Sequence, residues 1–140
     1  MEQVMVVGPF NASMREALHQ AFPPSFHLEY VTSYDEFDRL SQADYVILRT
    51  LEIKGDSFEK LKRCKLIQRW GAGFDSVDIQ AAGQLGIGVA VTAGINADPV
   101  AEMALALMLT VYRNLIPMTN GIMDGKWERE EFSKRSYTIG

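Results

Sequence analysis

Gly71-Ala72-Gly73 follows directly on Lys65 to Trp70, which reads as a strand, so two glycines separated by one residue stand where that strand should end. Without a Cβ at either glycine, the chain can bring successive backbone N–H groups close to an anion, a task sized for a carboxylate. The same residues taken alone leave open a tight strand-to-helix turn with no ligand. As a dinucleotide fingerprint the loop fails. Ser76 occupies the third glycine position, and no acidic residue closes a following strand, so a pyrophosphate site is rejected here.

Other reactive residue types offer less. Cys64, the single cysteine, sits between Arg63 and Lys65. Those cations could favour a thiolate, but a small half-buried hydrophobe is the preferred reading. His19 falls in a helical segment and His27 in a strand, with no Cys or carboxylate at metal-ligand spacing, so both are read as structural and no metal is expected. No nucleophile–base pair is found. A phosphate-accepting aspartate is missing from the third strand end, where Leu48-Arg49-Thr50 stands, and Gly8-Pro9-Phe10-Asn11 lacks the Ser and Thr of a flavin loop. Trp70 is expected to pack as a large aromatic closing a buried strand.

The elements that position these residues alternate. Gln3–Val7, Phe26–Val31, Tyr45–Leu48, Lys65–Trp70 and Gly88–Val91 read as strands, each separated from the next by a helical segment. Asn11 is placed to cap a helix that Pro23-Pro24 ends. Ser33 with Glu36, and Asp56 with Glu59, have the spacing of capping boxes and predict two more helices. Asp78 to Leu85 predicts another, stopped by Gly86. The outcome is an α/β fold with a doubly wound, parallel five-stranded sheet and helices on both faces. Ligands in such sheets sit at the carboxyl ends of the strands, which points to Gly8, Arg49-Thr50, Gly71 to Phe74, and Thr92 to Asn96.

From Ile79 to Tyr112 only Asp98 and Glu102 are charged, which predicts the most buried third of the chain. Asp98 as N-cap with Pro99 in the first turn should launch a long helix to about Leu115. That helix is apolar nearly all round and needs cover on more than one side, which implies a second subunit or further domain. Pro117 starts a short helix that Gly125 ends.

The 140 residues are 47% hydrophobic and 23% charged, the balance of an ordinary globular domain. The net charge of −4 and the lack of a basic stripe argue against nucleic acid. The longest apolar run, Met103 to Leu109, is seven residues, and the N-terminus has no basic region, so neither a membrane partner nor a signal peptide is expected. A lone cysteine suits a reducing, cytoplasmic setting.

The succession Trp70-Gly-Ala-Gly-Phe-Asp-Ser-Val-Asp78, then Ala81-Ala82, Gly86-Ile87, Val89, Thr92-Ala-Gly94 and Asn96-Ala-Asp-Pro-Val-Ala-Glu102, with Gly125-Lys126-Trp127 beyond, is a pattern of ordered motifs. It resembles the N-terminal part of the D-isomer-specific 2-hydroxyacid dehydrogenase family, the phosphoglycerate dehydrogenase-like enzymes, most specifically from Lys65 to Trp127. The resemblance implies an oxidoreductase that uses NAD or NADP to interconvert a small 2-hydroxy acid and its 2-keto acid by hydride transfer. It implies a flavodoxin-like substrate domain over residues 1–97, interdomain and dimerisation helices over 98–125, and a tail over 126–140 leading toward an NAD-binding domain that these residues do not include.

By the same resemblance the N–H groups of Ala72 and Gly73 would hold the substrate carboxylate, with Ala72 also near the nicotinamide. Asn96 and Arg49 match substrate-side positions, and the helix Asp98 to Leu115 matches a homodimer interface. The family's dinucleotide fingerprint and its catalytic arginine, glutamate and histidine have no counterpart in these residues. The expectation is therefore no catalytic residue in this chain and no turnover by it alone. The alternative is a non-catalytic module that dimerises or binds a small carboxylate.

Overall fold

Apolar β-branched runs become the strands. The computed structural model describes residues 1–138, and the last two residues of the expected tail, Ile139 and Gly140, lie outside the described residues. The strands are β1 (Glu2–Val7), β2 (Phe26–Val31), β3 (Tyr45–Leu48), β4 (Leu66–Arg69) and β5 (Gly88–Ala90). They form one sheet in the order β2-β1-β3-β4-β5, with every pairing parallel. This is the expected α/β fold, and the strand order is the flavodoxin-like one.

Alternation along β1 divides the core between the two faces of the sheet. Val4 and Val6 join Phe10, Leu18 and Ile47 on the side of helix α1 (Ala12–Ala21). Met5 and Val7 point the other way, onto a larger cluster with Phe37, Leu40, Leu48, Phe58, Leu61, Ile67 and Ala82. Leu40, Leu48, Leu61 and Ile67 are fully buried, each worth about 1.5–3 kcal/mol over leaving it in water.

Asn11 caps α1 as expected, its side chain accepting from Met14 N at 2.9 Å. The two predicted capping boxes do not form. Tyr34–Gln42 and Gly55–Lys60 are 3-10 runs with no side-chain cap, and Glu36 Oε2 instead accepts from the N–H and hydroxyl of Thr32. Both runs are rich in Asp and Ser, which favour local side-chain bonds over a continuous α-helix. Helix α2 (Ile79–Gln84) is capped by Asp78, whose carboxylate accepts from Gln80 N and Ala81 N at 3.0 Å each.

The chain divides into two compact units, Met1–Ile95 and Asn96–Gly140. In the second unit helix α3 spans Ala97–Tyr112, helix α4 Leu115–Met123 and helix α5 Arg129–Arg135. Asn96, not Asp98, takes the N-cap position, and Asp98 lies in the first turn. Helix α3 ends at Tyr112, short of Leu115, because Asn114 adopts a left-handed conformation, its amide donating to Arg135 O at 2.7 Å.

The expectation of a buried stretch from Ile79 to Tyr112 is overturned. Only Ala82 and Ile87 are buried there, and α3 has no buried residue. Among the described residues no single helix is long and apolar enough to cross a membrane. Helix α5 occupies what was expected to be a tail, with Glu130 and Glu131 in its first turn and Lys134 and Arg135 in its last.

Candidate functional site

The carboxyl ends of the strands bring three loops together in the first unit. After β1 the chain turns at Gly8, whose φ is +113° and where a Cβ would sit 1.8 Å from Arg49 O. Only glycine allows the β1 and β3 ends to approach this closely. Phe10 follows, 5% exposed, and packs edge-on against Trp70 with ring centroids 5.3 Å apart. The Arg49 guanidinium lies 5.7 Å from the Phe10 ring and donates to Pro9 O. Phe10 thus ties the β3 loop to the start of the glycine loop.

The glycine loop is held at its ends and open in its middle. Trp70 N donates to Leu48 O at 2.8 Å, Gly71 N to Arg69 O at 3.0 Å, and Thr92 N to Gly71 O at 2.9 Å. At the far end Ile53 bridges Val77, with Ile53 N donating to Ser76 O at 2.8 Å. Between these anchors, and among the described residues, the N–H groups of Ala72 and Gly73 donate to no protein acceptor. Gly71 O is committed to Thr92 and the peptide is trans, so the Ala72 N–H points away from that anchor. Two consecutive free donors on a fixed loop can take the two oxygens of a carboxylate.

Of the residues singled out from sequence, Ala72, Gly73 and Arg49 lie in the first unit at the carboxyl ends of β4 and β3. Asn96 opens the second unit, is exposed, and makes no side-chain capping bond. Trp70 is not the buried aromatic expected: it is 41% exposed, its indole held at the rim by Phe10. Cys64 is buried, and that burial pushes its thiol up to about 11, which makes it a core group rather than a nucleophile. Among the described residues no group of His, Cys, Asp or Glu could hold a metal ion.

Sequence reasoning passed over Arg69. As the last residue of β4 it sends Nη1 to Leu48 O at 3.2 Å and to Trp70 O at 3.1 Å. An arginine closing a strand just before a glycine pair was the available signal.

Residues 70–78 lie between the end of β4 and α2, and the first N–H groups of α2 are already taken by the Asp78 carboxylate, a group that repels a pyrophosphate. Ser76 Oγ, at the third glycine position, is buried without a partner among the described residues.

Residues 4–138 match the sequence profile of the D-isomer specific 2-hydroxyacid dehydrogenase catalytic domain. A hydroxypyruvate reductase of Thermotoga maritima is 35% identical over 108 residues, covering 74% of this chain and 35% of that protein. The NAD+-bound 3-phosphoglycerate dehydrogenase of Entamoeba histolytica superposes with a TM-score of 0.65 at 29% identity, over 81% of this chain and 40% of the other. The D-mandelate dehydrogenase of Rhodotorula graminis shares the fold, with a TM-score of 0.77 at 22% identity over 97% of this chain and 45% of that one. The chain thus spans less than half the length of each of these relatives.

Proposed function

Because the chain belongs to the D-isomer specific 2-hydroxyacid dehydrogenase family, whose members are oxidoreductases, we propose that residues 1–140 form the substrate-side part of such an enzyme. The whole protein would interconvert a small D-2-hydroxy acid and its 2-keto acid by hydride transfer with NAD or NADP. The observation that carries this reading is the pair of unpartnered N–H groups at Ala72 and Gly73, on a loop anchored by Leu48, Thr92 and Ile53.

In this reading the two N–H groups take the carboxylate and so orient the 2-carbon above the loop, with Ala72 also on the nicotinamide side. The Ala72 donor serves this purpose without induced movement, because the carbonyl of its own peptide, Gly71 O, is already bonded to Thr92 N. Arg49 supplies a cation at the rim. Residues 1–97 act as the substrate domain and 98–125 as interdomain and dimerisation helices, with a second copy of the chain covering the apolar α3. His19 and His27 belong to α1 and β2, not to these loops. No imidazole there can exchange the hydroxyl proton, so the 140 residues alone bind the acid and do not turn it over.

Gly73→Pro tests the reading, since it deletes one donor without adding charge. The affinity of the 140-residue chain for hydroxypyruvate should fall about tenfold, as expected for one lost hydrogen bond to an anion. Equal affinities for the variant and the parent would contradict it.

A further inference from the structure

The two donors of the loop are free because other groups hold the peptides before them, and one of those groups is a side chain with a peculiar environment. Arg69 Nη1 donates to Leu48 O at 3.2 Å and to Trp70 O at 3.1 Å, so one guanidinium nitrogen links the end of β3 to the peptide that enters the glycine loop. The Arg69 carbonyl accepts from the other side of that peptide, through Gly71 N at 3.0 Å. It also accepts from Gln68 Nε2 at 3.0 Å and Thr92 Oγ1 at 3.4 Å. Both polar atoms of the 70–71 peptide are therefore bonded to Arg69 itself.

Gly71 has a φ of +152°, and a Cβ there would lie 3.7 Å from Nη1, so the guanidinium rests against the backbone one residue ahead of the donors. Arg69 Nε is buried with no hydrogen-bond partner among the described residues. A guanidinium left partly unsatisfied in a half-buried place costs stability, and a strand end needing only an apolar plug would be better served by Leu or Met.

We infer that Arg69 is a positioning residue: by clamping Trp70 O to Leu48 O it fixes the 70–71 peptide, and with Thr92 on Gly71 O it aims the Ala72 N–H at the substrate carboxylate and sets where the backbone enters Gly73. This rests on the proposed carboxylate site. Arg69 does not touch the ligand; it acts through the backbone. Its charge, next to Gly71, adds a favourable field for an anion on the loop.

The experiment uses the 140-residue chain, 15N-labelled, with Arg69→Met and Arg69→Lys beside the parent. Before any ligand is added, Arg69→Met should displace and broaden the Gly71, Ala72 and Gly73 amide signals while those of β1, β2 and α1 stay in place. Titrated with hydroxypyruvate, it should bind about tenfold more weakly. Arg69→Lys, which keeps the charge and can reach one carbonyl, should recover part of that loss. If Arg69→Met leaves the three loop amides and the affinity as in the parent, the positioning role is wrong. If Arg69→Met does not fold, Arg69→Lys decides, and parental loop signals and affinity in that variant overturn the inference. A parent chain whose Ala72 and Gly73 signals ignore the ligand would sink the carboxylate reading instead. The ligand-free loop signals would still judge the clamp.

Discussion

At the scale of single residues, the site depends on backbone that cannot carry side chains. A methyl group at position 8 would overlap Arg49 O at 1.8 Å and would have to adopt a φ of +113°. Gly8→Ala should therefore cost at least about 3 kcal/mol in chemical denaturation, since neither the β1 nor the β3 end can yield without breaking the ladder. A loss under about 1 kcal/mol would mean that the two strand ends move apart freely. The spacing of Gly71 and Gly73 marks the loop in the sequence as a place where backbone N–H groups can approach an anion, while a plain strand-to-helix turn has the same spacing. Arg69 is not legible in that way. Its partner, Leu48 O, is a backbone atom twenty-one residues away in sequence, and it is reached only after β3 and β4 pair. Trp70 misleads for the opposite reason: its size suggests burial, whereas it is 41% exposed and only its edge contact with Phe10 holds it at the rim.

Among the elements, the strands are read well and the helices less so. Short runs such as Val4–Val7 and Tyr45–Leu48 are apolar on both faces, which only a covered parallel sheet tolerates, and their order follows from the connections between them. Capping is where pattern and structure part. Asn11 caps α1, while Ser33 makes no capping bond and Glu36 turns back to Thr32. The spacing Ser-x-x-Glu is the same in either geometry, and the packing of the next turn selects between them. The expected burial of Ile79 to Tyr112 is the larger misreading, because apolarity without charge looks alike whether a segment is buried in its own chain or offered outward. Helix α5 carries its acids in the first turn and its bases in the last, a signal weak enough to pass for a charged tail.

For the whole molecule, the apolar surface of the second unit is the dominant unexplained feature of the chain taken alone. Leu105 is 54% exposed and Leu109 47%, beside Met103 and Leu107 at 60% and 58%. Water does not favour so large an apolar patch, and a second copy is the proposed cover. Leu105→Glu with Leu109→Glu should convert the chain from dimer to monomer by light scattering, with the sheet signals of the first unit retained. An unchanged mass would refute α3 as the interface. The proposed function rests on the loop after β4. Its most direct test is a residue-resolved amide titration of the 140-residue chain with hydroxypyruvate. The Ala72 and Gly73 signals should move first and saturate together, while those of β2 and α5 stay still. If those two signals do not move while amides elsewhere do, or if shifts spread evenly without saturation, the carboxylate site is not there.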